Sequence, residues 1–250
     1  MSPHPDWIVP EWPAPPNVKA LITTRRGGVS TGPYASFNLG QRSGDDPQAI
    51  AANRAHLRRL LPQEPKWMKQ VHGTRVADAD APDEMPEADA SIARRAGTVC
   101  AVMIADCLPV LLCDRSGSVV AAAHAGWRGL AGGVIENAVH EMDRAGAAPA
   151  ELLAYFGPAI GPSSFEVGSD VYDAFLARDP RCAQAFTPRR PGKWLADLFM
   201  LARQALERAG VSHIYGGGLC TVADPQRFFS YRRDQATGRM AALIWRENPN

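Results

Sequence analysis

The sequence predicts a mixed α/β fold, of the α/β or α+β class, over residues 1–250 as a single domain. Three observations carry that expectation. Short apolar runs rich in β-branched residues have strand length, glycine- and proline-bounded amphipathic segments between them have helix length, and no internal repeat points to a solenoid or propeller. With 250 residues, 46% of them apolar, the chain can bury a large core, and no linker divides it.

Residues 6–17, rich in proline and tryptophan, read as an irregular arm that packs its indoles on the body. Val18–Thr24 reads as a strand. Arg25 to Gly40 is a long structured loop whose paired glycines either expose backbone N–H groups to an anion or simply turn the chain. Asp45 or Asp46 before Pro47 starts a basic amphipathic helix that ends near Leu61-Pro62, with Arg54, His56, Arg58 and Arg59 as its solvated face. Lys66–Val71 reads as the next strand, with His72-Gly73 where it turns. Residues 77–90, rich in Ala, Asp, Glu and Pro, read as an exposed loop that includes Asp89.

Residues 98–130 are the stretch around which the rest is organised. Val99–Ile104, Leu108–Leu112 and Val119–Ala123 read as buried strands, and Asp114-Arg-Ser-Gly117 is turn chemistry. A symmetric two-residue turn at Arg115 and Ser116 sets Cys107 opposite His124, with Cβ atoms ~5 Å apart. A type I turn with a G1 bulge slips the register by one and puts the two on opposite faces, unless a bulge at Pro109 restores the pairing. After His124 a glycine-rich stretch enters a helix that ends near Gly146. Its N–H groups, with Arg128 beside them, suit an oxyanion, or its glycines only permit close packing.

Leu152–Phe156 reads as a strand, Gly157 to Val167 as a tight loop, and 168–178 as a helix. Ala196–Ala209 has helical periodicity and is closed by Gly210. Ile214 to Thr221 and Arg239–Trp245 read as late strands joined by a loop from Arg227 to Gly238. Arg232 and Arg233 in that loop either bind anions or pair with carboxylates.

The formal net charge of +1, with both signs dispersed, gives no footprint for nucleic acid or a membrane surface and fits a small-molecule substrate. A basic n-region with an apolar core is absent from the N-terminus, no apolar run approaches membrane length, and a cytoplasmic protein is expected. Five cysteines, at least three in apolar surroundings, fit reduced core thiols. His72, Cys107 and His124 supply two imidazoles and a thiolate, a set that suits zinc with a fourth position open for water or substrate. The same residues suit a nucleophile and its base, oriented by Asp106 or another group, or else a core cysteine with turn histidines.

Thr24-Arg-Arg-Gly-Gly-Val-Ser30, Lys69-Gln-Val-His-Gly73, Ala105-Asp-Cys-Leu-Pro109, His124-Ala-Gly-Trp-Arg-Gly129, Gly157-Pro-Ala-Ile-Gly-Pro162 and Phe229-Ser-Tyr-Arg-Arg-Asp234 together closely resemble the bacterial YfiH family, which has the human purine enzyme FAMIN among its relatives. The likeness runs from about residue 7 to the C-terminus in a consistent order. It implies a four-layer α/β/β/α sandwich related to the catalytic domain of cytotoxic necrotizing factor. It also implies a zinc site at His72, Cys107 and His124, where copper is the alternative metal, and it places the arginine of the family's Thr-Arg-x-Gly-Gly pattern on Arg25. Many relatives have cysteine where this chain has Ala159.

Members of the family were first named multicopper polyphenol oxidases or laccases, then purine nucleoside phosphorylases with adenosine deaminase and methylthioadenosine phosphorylase activity. Some are assigned to removing a wrong amino acid from a peptidoglycan precursor. The resemblance therefore implies a zinc-dependent purine nucleoside phosphorylase acting on adenosine, inosine, guanosine and methylthioadenosine, with adenosine deaminase activity at the same site. Inorganic phosphate is expected at Arg25, Arg128, Arg232 and Arg233. The alternative is an amidase editing a peptidoglycan precursor (UDP-MurNAc-amino acid), with Cys107 or a zinc-activated water as nucleophile. A multicopper oxidase needs several copper centres and many His-x-His pairs, whereas this chain has six histidines and no such pair.

Overall fold

A computed structural model describes residues 3–82 and 85–248. In chain order the elements are β1 (Val18–Ile22), α1 (Pro47–Arg58), β2 (Val76–Asp78), β3 (Ala90–Ala93), β4 (Cys100–Ile104), β5 (Leu108–Asp114), β6 (Val120–Ala125), α2 (Trp127–Gly132) and α3 (Val134–Arg144). There follow β7 (Leu152–Phe156), β8 (Glu166–Gly168), α4 (Ser169–Leu176), β9 (Phe186–Arg190), β10 (Lys193–Ala196), α5 (Leu198–Arg208), β11 (His213–Gly216), α6 (Tyr231–Asp234) and β12 (Met240–Arg246). Caps set several helix bounds. The Asp46 carboxylate accepts from the N–H of Gln48 with Pro47 at the first helical position, and Asp197 accepts from the N–H of Met200 at the start of α5. The single helix expected after His124 is two, because Gly133 adopts φ +102° and turns the chain between α2 and α3.

The strands form three sheets, in the orders β1-β12-β4, β8-β10-β9 and β11-β7-β5-β6-β3-β2. Side-chain alternation along the central strands sorts the apolar residues into three cores. On β5, Val110 and Leu112 join Ile135 and Met142 of α3 and Leu201 of α5, whereas Leu111 and Cys113 point the other way, to Val102, Ile104 and Ile22. On β12, Ala242 and Ile244 share that inter-sheet core, while Ala241 and Leu243 pack outward against Leu57 of α1, Trp7 and Trp67. The order across the molecule is therefore helices α3 and α5, the six-stranded sheet, the three-stranded sheet, then α1 with the N-terminal arm.

The central hairpin differs from both expected registers. Pro109 pairs with His124 and Cys113 with Val120, so the connection is a four-residue loop and Cys107 stands two residues before the strand position facing His124. The turn at Asp114 forms as expected, with the Gly117 N–H on the Asp114 carbonyl at 3.0 Å. The Asp114 carboxylate then also accepts from the N–H groups of Ser118 and Val119, both at 2.8 Å, which lengthens the loop by two residues relative to the symmetric turn. A shift of two preserves side-chain parity, so Cys107 and His124 remain neighbours diagonally rather than directly.

Other expectations are corrected. Residues 66–71 form no strand but only isolated bridges, Lys66 with Cys100 and Lys69 with Glu87. The Gln70 amide replaces the ladder there, donating to the Met103 carbonyl at 2.9 Å and accepting from the Met103 N–H at 2.7 Å, which satisfies the open edge of β4. The stretch expected as an exposed loop at 77–90 begins inside β2, ends on Ala90 at the start of β3, and contains Asp89, which is fully buried; residues 83 and 84 of it lie outside the described residues. Arg54 is not on a solvated face, because its guanidinium lies over the Trp67 ring at 4.4 Å. The late strand expected to reach Thr221 stops at Gly216, and the loop from Arg227 carries the short α6. The small sheet of β8, β9 and β10 was not anticipated.

Candidate metal centre and substrate cavity

Three chain segments converge at the end of the six-stranded sheet. Cys107 immediately precedes β5, His124 is near the end of β6, and His72 sits in the irregular segment between Gln70 and β2. One potential ligand atom from each lies within 4.8 Å of the others, with the Cys107 Sγ 3.7 Å from His72 Nε2. The two imidazoles meet edge to face at a centroid distance of 4.9 Å.

Two aspartates hold this geometry. Asp89 is fully buried, and its carboxylate accepts four N–H groups. Oδ1 takes the His72 backbone N–H at 3.0 Å and His124 Nδ1 at 2.9 Å; Oδ2 takes the N–H of Val71 at 3.1 Å and of Gly73 at 2.7 Å. The bonds to 71–73 stabilise the left-handed backbone of His72 at φ +61°, a conformation that costs a non-glycine residue free energy. The bond to Nδ1 assigns the His124 proton to that nitrogen and leaves Nε2 to face the cluster.

Asp106 does the corresponding work for Cys107. It too has a positive φ, +96°, and is fixed by Thr221 Oγ1 on Oδ1 at 2.5 Å, the Arg232 N–H on Oδ2 at 2.6 Å and the Ile160 N–H on its carbonyl at 2.8 Å. Gly126 closes the site from behind: a Cβ there would stand 2.8 Å from His72 Cδ2 and 2.9 Å from the Cys107 Sγ.

Electrostatics follow from the packing. Burial pushes the Cys107 thiol up, but the facing charge and hydrogen bond of His124, with that of His72, outweigh it and bring it down to about 6. Burial acts oppositely on His124, yet the Cys107 thiolate and Asp89 hold its pKa well above the usual imidazole value. The two shifts run the same way, each favouring the charged form, thiolate on Cys107 and imidazolium on His124. Cys100 and Cys113, buried with no such partner, are pushed up to about 12.

The cluster opens into a cavity of about 660 Å³. One side is built from Ile160, Phe165 and Leu198, which belong to the core outside the six-stranded sheet; another is built from Trp67 and Met103 beyond the three-stranded sheet. Of the arginines expected to hold an anion, Arg128 and Arg232 line it. Arg25 and Arg233 do not line it, and most of their donors bond the backbone elsewhere. Arg25 Nε and Nη1 bind the carbonyls of Ala35 and Pro225 at 2.9 and 2.8 Å, and Arg233 binds those of Thr221 and Phe228 at 2.8 and 3.0 Å, besides pairing with Asp234 at 2.7 Å. Arg54 and Arg239 line the cavity instead, and neither was expected there.

A three-ligand set of two imidazoles and an ionised thiol, with carboxylate support behind it and open space in front, matches zinc chemistry. The donor set is the ground for that match: soft thiolate and borderline imidazole donors select zinc or copper over magnesium or calcium.

Comparison with known proteins gives the same grouping. Residues 19–247 match the family model described as multi-copper polyphenol oxidoreductase laccase. A protein of Pseudomonas aeruginosa named purine nucleoside phosphorylase is 51% identical over 96% of this chain and 98% of its own. The Escherichia coli purine nucleoside phosphorylase YfiH is 51% identical over 95% and 98%. Among solved structures, a Neisseria meningitidis protein superposes with a TM-score of 0.93 at 52% identity, covering 97% of this chain and all of that one. YlmD from Geobacillus stearothermophilus superposes at 0.87 with 35% identity, covering 93% of each. Among the described residues no helix is long and apolar enough to cross a membrane. Matched along nearly its whole length by sequence and by structure, the chain belongs to the YfiH family, the family described as multi-copper polyphenol oxidoreductase laccase, whose similar curated members are named purine nucleoside phosphorylases.

Proposed function

We propose that the protein is a zinc-dependent purine nucleoside phosphorylase that acts on adenosine, inosine, guanosine and methylthioadenosine and also deaminates adenosine at the same site. The observation that carries the reading is the meeting of His72, Cys107 and His124 at the base of an arginine-lined cavity. Phosphorolysis breaks the C1′–N9 bond and joins a phosphate oxygen to C1′, so the site must bring two negatively charged or electron-rich groups together and stabilise a cationic sugar between them. Zinc held by His72, Cys107 and His124 would supply a Lewis acid for an oxyanion and would lower the pKa of a coordinated water.

The chain's own residues do the rest. Arg128 lies beside the cluster with its guanidinium over the Trp127 ring at 4.3 Å, a stacked arrangement that fixes the plane of donors offered to phosphate. Arg232 is anchored by its backbone N–H to Asp106 and one Nη to the Glu166 carbonyl at 3.0 Å, which leaves its other nitrogen atoms for the second side of the anion. Phe165, Ile160 and Leu198 exclude water from the reacting sugar. Asp89, through His124 Nδ1, keeps the imidazole oriented as charge builds at the site.

The test is adenosine turnover followed by chromatography, with and without phosphate, for metal-loaded wild type and Cys107→Ala. Adenine released only with phosphate, and only by the wild type, is the expected result; no purine product from the zinc-loaded protein overturns the reading.

A second reading, amide hydrolysis on a peptidoglycan precursor, is favoured by one observation: Cys107, His124 and Asp89 are connected in the order nucleophile, base and orienting carboxylate. Turnover of such an amide by metal-stripped protein would support it. Polyphenol oxidation by several coppers has less to stand on, since among the described residues one group of three such ligands is present.

A further inference from the structure

The cavity holds more positive charge than one inorganic phosphate requires. Arg42, Arg54, Lys69, Arg128, Arg232 and Arg239 line it, although the whole chain is nearly neutral at +1. The acid on its wall among the described residues is Asp106, and both of its oxygens are already engaged, by Thr221 and by the Arg232 N–H. Of the six cations only Lys69 has a carboxylate partner among the described residues, Glu87 at 2.9 Å.

These cations come from different layers. Arg128 and Arg232 reach the cavity from the side of the six-stranded sheet, where Arg232 lies 5.3 Å from the centre of the Phe165 ring. Arg54 reaches it from α1, beyond the three-stranded sheet, stacked on Trp67 at 4.4 Å and bonded through Nε to the Leu39 carbonyl at 3.0 Å. Its Nη1 has no partner among the described residues, and Arg42 stands exposed in the loop that leads to the same helix. A stacked, half-buried guanidinium is desolvated and preorganised; burial lowers the Arg54 pKa, so an anion brought to it regains what burial costs. A single phosphate ion held by Arg128 beside the ligand cluster leaves Arg42 and Arg54 without an anion.

We infer that the site takes purine nucleoside 5′-monophosphates, with the 5′-phosphate against Arg42 and Arg54 and the attacking phosphate beside Arg128. This rests on the nucleoside phosphorylase reading and extends its substrate class. The reaction keeps its balance: the C1′–N9 bond of AMP breaks, a phosphate oxygen bonds to C1′, the departing base takes up a proton, and the products are adenine and ribose 1,5-bisphosphate.

The experiment compares kcat/KM for AMP and adenosine at fixed phosphate, on zinc-loaded full-length protein, with the bisphosphate identified by mass spectrometry to exclude prior dephosphorylation. A new charge-assisted phosphate contact predicts a preference for AMP of about ten-fold or more at low salt. The preference should shrink with added salt and fall toward parity in Arg42→Ala and in the conservative Arg54→Lys. Adenosine turned over with AMP equal or poorer overturns this inference and leaves the nucleoside reading intact; neither substrate turned over overturns both.

Discussion

Replacing Asp89 by Asn separates the two jobs the carboxylate performs. Its two oxygens accept four N–H groups, two on each. An Asn oxygen placed at Oδ1 keeps the His72 N–H and His124 Nδ1, but its NH2 then faces the N–H groups of Val71 and Gly73 and both lose their acceptor. At about 1–3 kcal/mol for each unsatisfied donor the loss is about 2–6 kcal/mol, and the lower end applies because that segment is partly open to water. Loss of carboxylate support behind a histidine ligand lowers metal affinity about 10–100-fold. Chelator competition measures the second effect, and urea unfolding with and without zinc measures the first. Burial pushes the Asp89 carboxyl up, but the hydrogen bond from His124 and those from Gly73 and Val71 outweigh it, so its pKa is lowered in the folded state. Its contribution is therefore fully present above the ordinary carboxylate range and is lost as pH falls through the lowered value, and Asp89→Asn should flatten that part of the stability profile. A variant that binds zinc as tightly as the wild type and unfolds at the same urea concentration would show that Asp89 does neither job.

Three further outcomes follow from the same geometry. In metal-stripped protein Cys107, lowered to about 6, should be alkylated by iodoacetamide above about pH 6 and progressively less below it, while Cys100 and Cys113, at about 12, stay silent; peptide mass mapping against pH reads this, and uniform alkaline reactivity would contradict it. Gly126→Ala drives a methyl group to 2.8 Å from His72 and 2.9 Å from Cys107, so zinc affinity should fall more than folding stability does, and an unchanged dissociation constant would count against the close approach. Arg128→Ala should raise the KM for phosphate about ten-fold or more with a smaller change for adenosine, as steady-state kinetics varying each substrate would show.

Most strand and helix positions are legible because β1, β5, β7 and β12 are apolar runs of strand length, α1 opens on an aspartate cap before Pro47, and α5 has helical periodicity closed by Gly210. The hairpin register was not legible, since it depends on how many backbone N–H groups one side chain, Asp114, gathers around the turn. The acid-rich sequence around Asp89 resembles an exposed loop. What contradicted that was the alanine- and isoleucine-containing run directly after it, the buried β3. Alanine is a weak strand former, and only burial between neighbouring strands makes Ala90–Ala93 a strand. His72, Cys107 and His124 stand out by chemical type and by the family motifs, and the structure brings them together, whereas the groups around them are out of reach of spacing, because Asp89, Asp106 and Arg54 act across segments distant in sequence. Arg25 shows the converse: a motif residue whose donors brace the loops at Ala35 and Pro225 rather than the cavity.

In the proposed reaction a nucleophilic phosphate and a purine nucleoside meet at the His72, Cys107 and His124 cluster. Phosphorus NMR of adenosine and phosphate with the protein tests it most directly. A ribose 1-phosphate resonance is expected to grow in step with the released bases, adenine and hypoxanthine together, to be absent after metal stripping and to return with zinc. Adenine released without that resonance, or formed equally by the stripped protein, would contradict it.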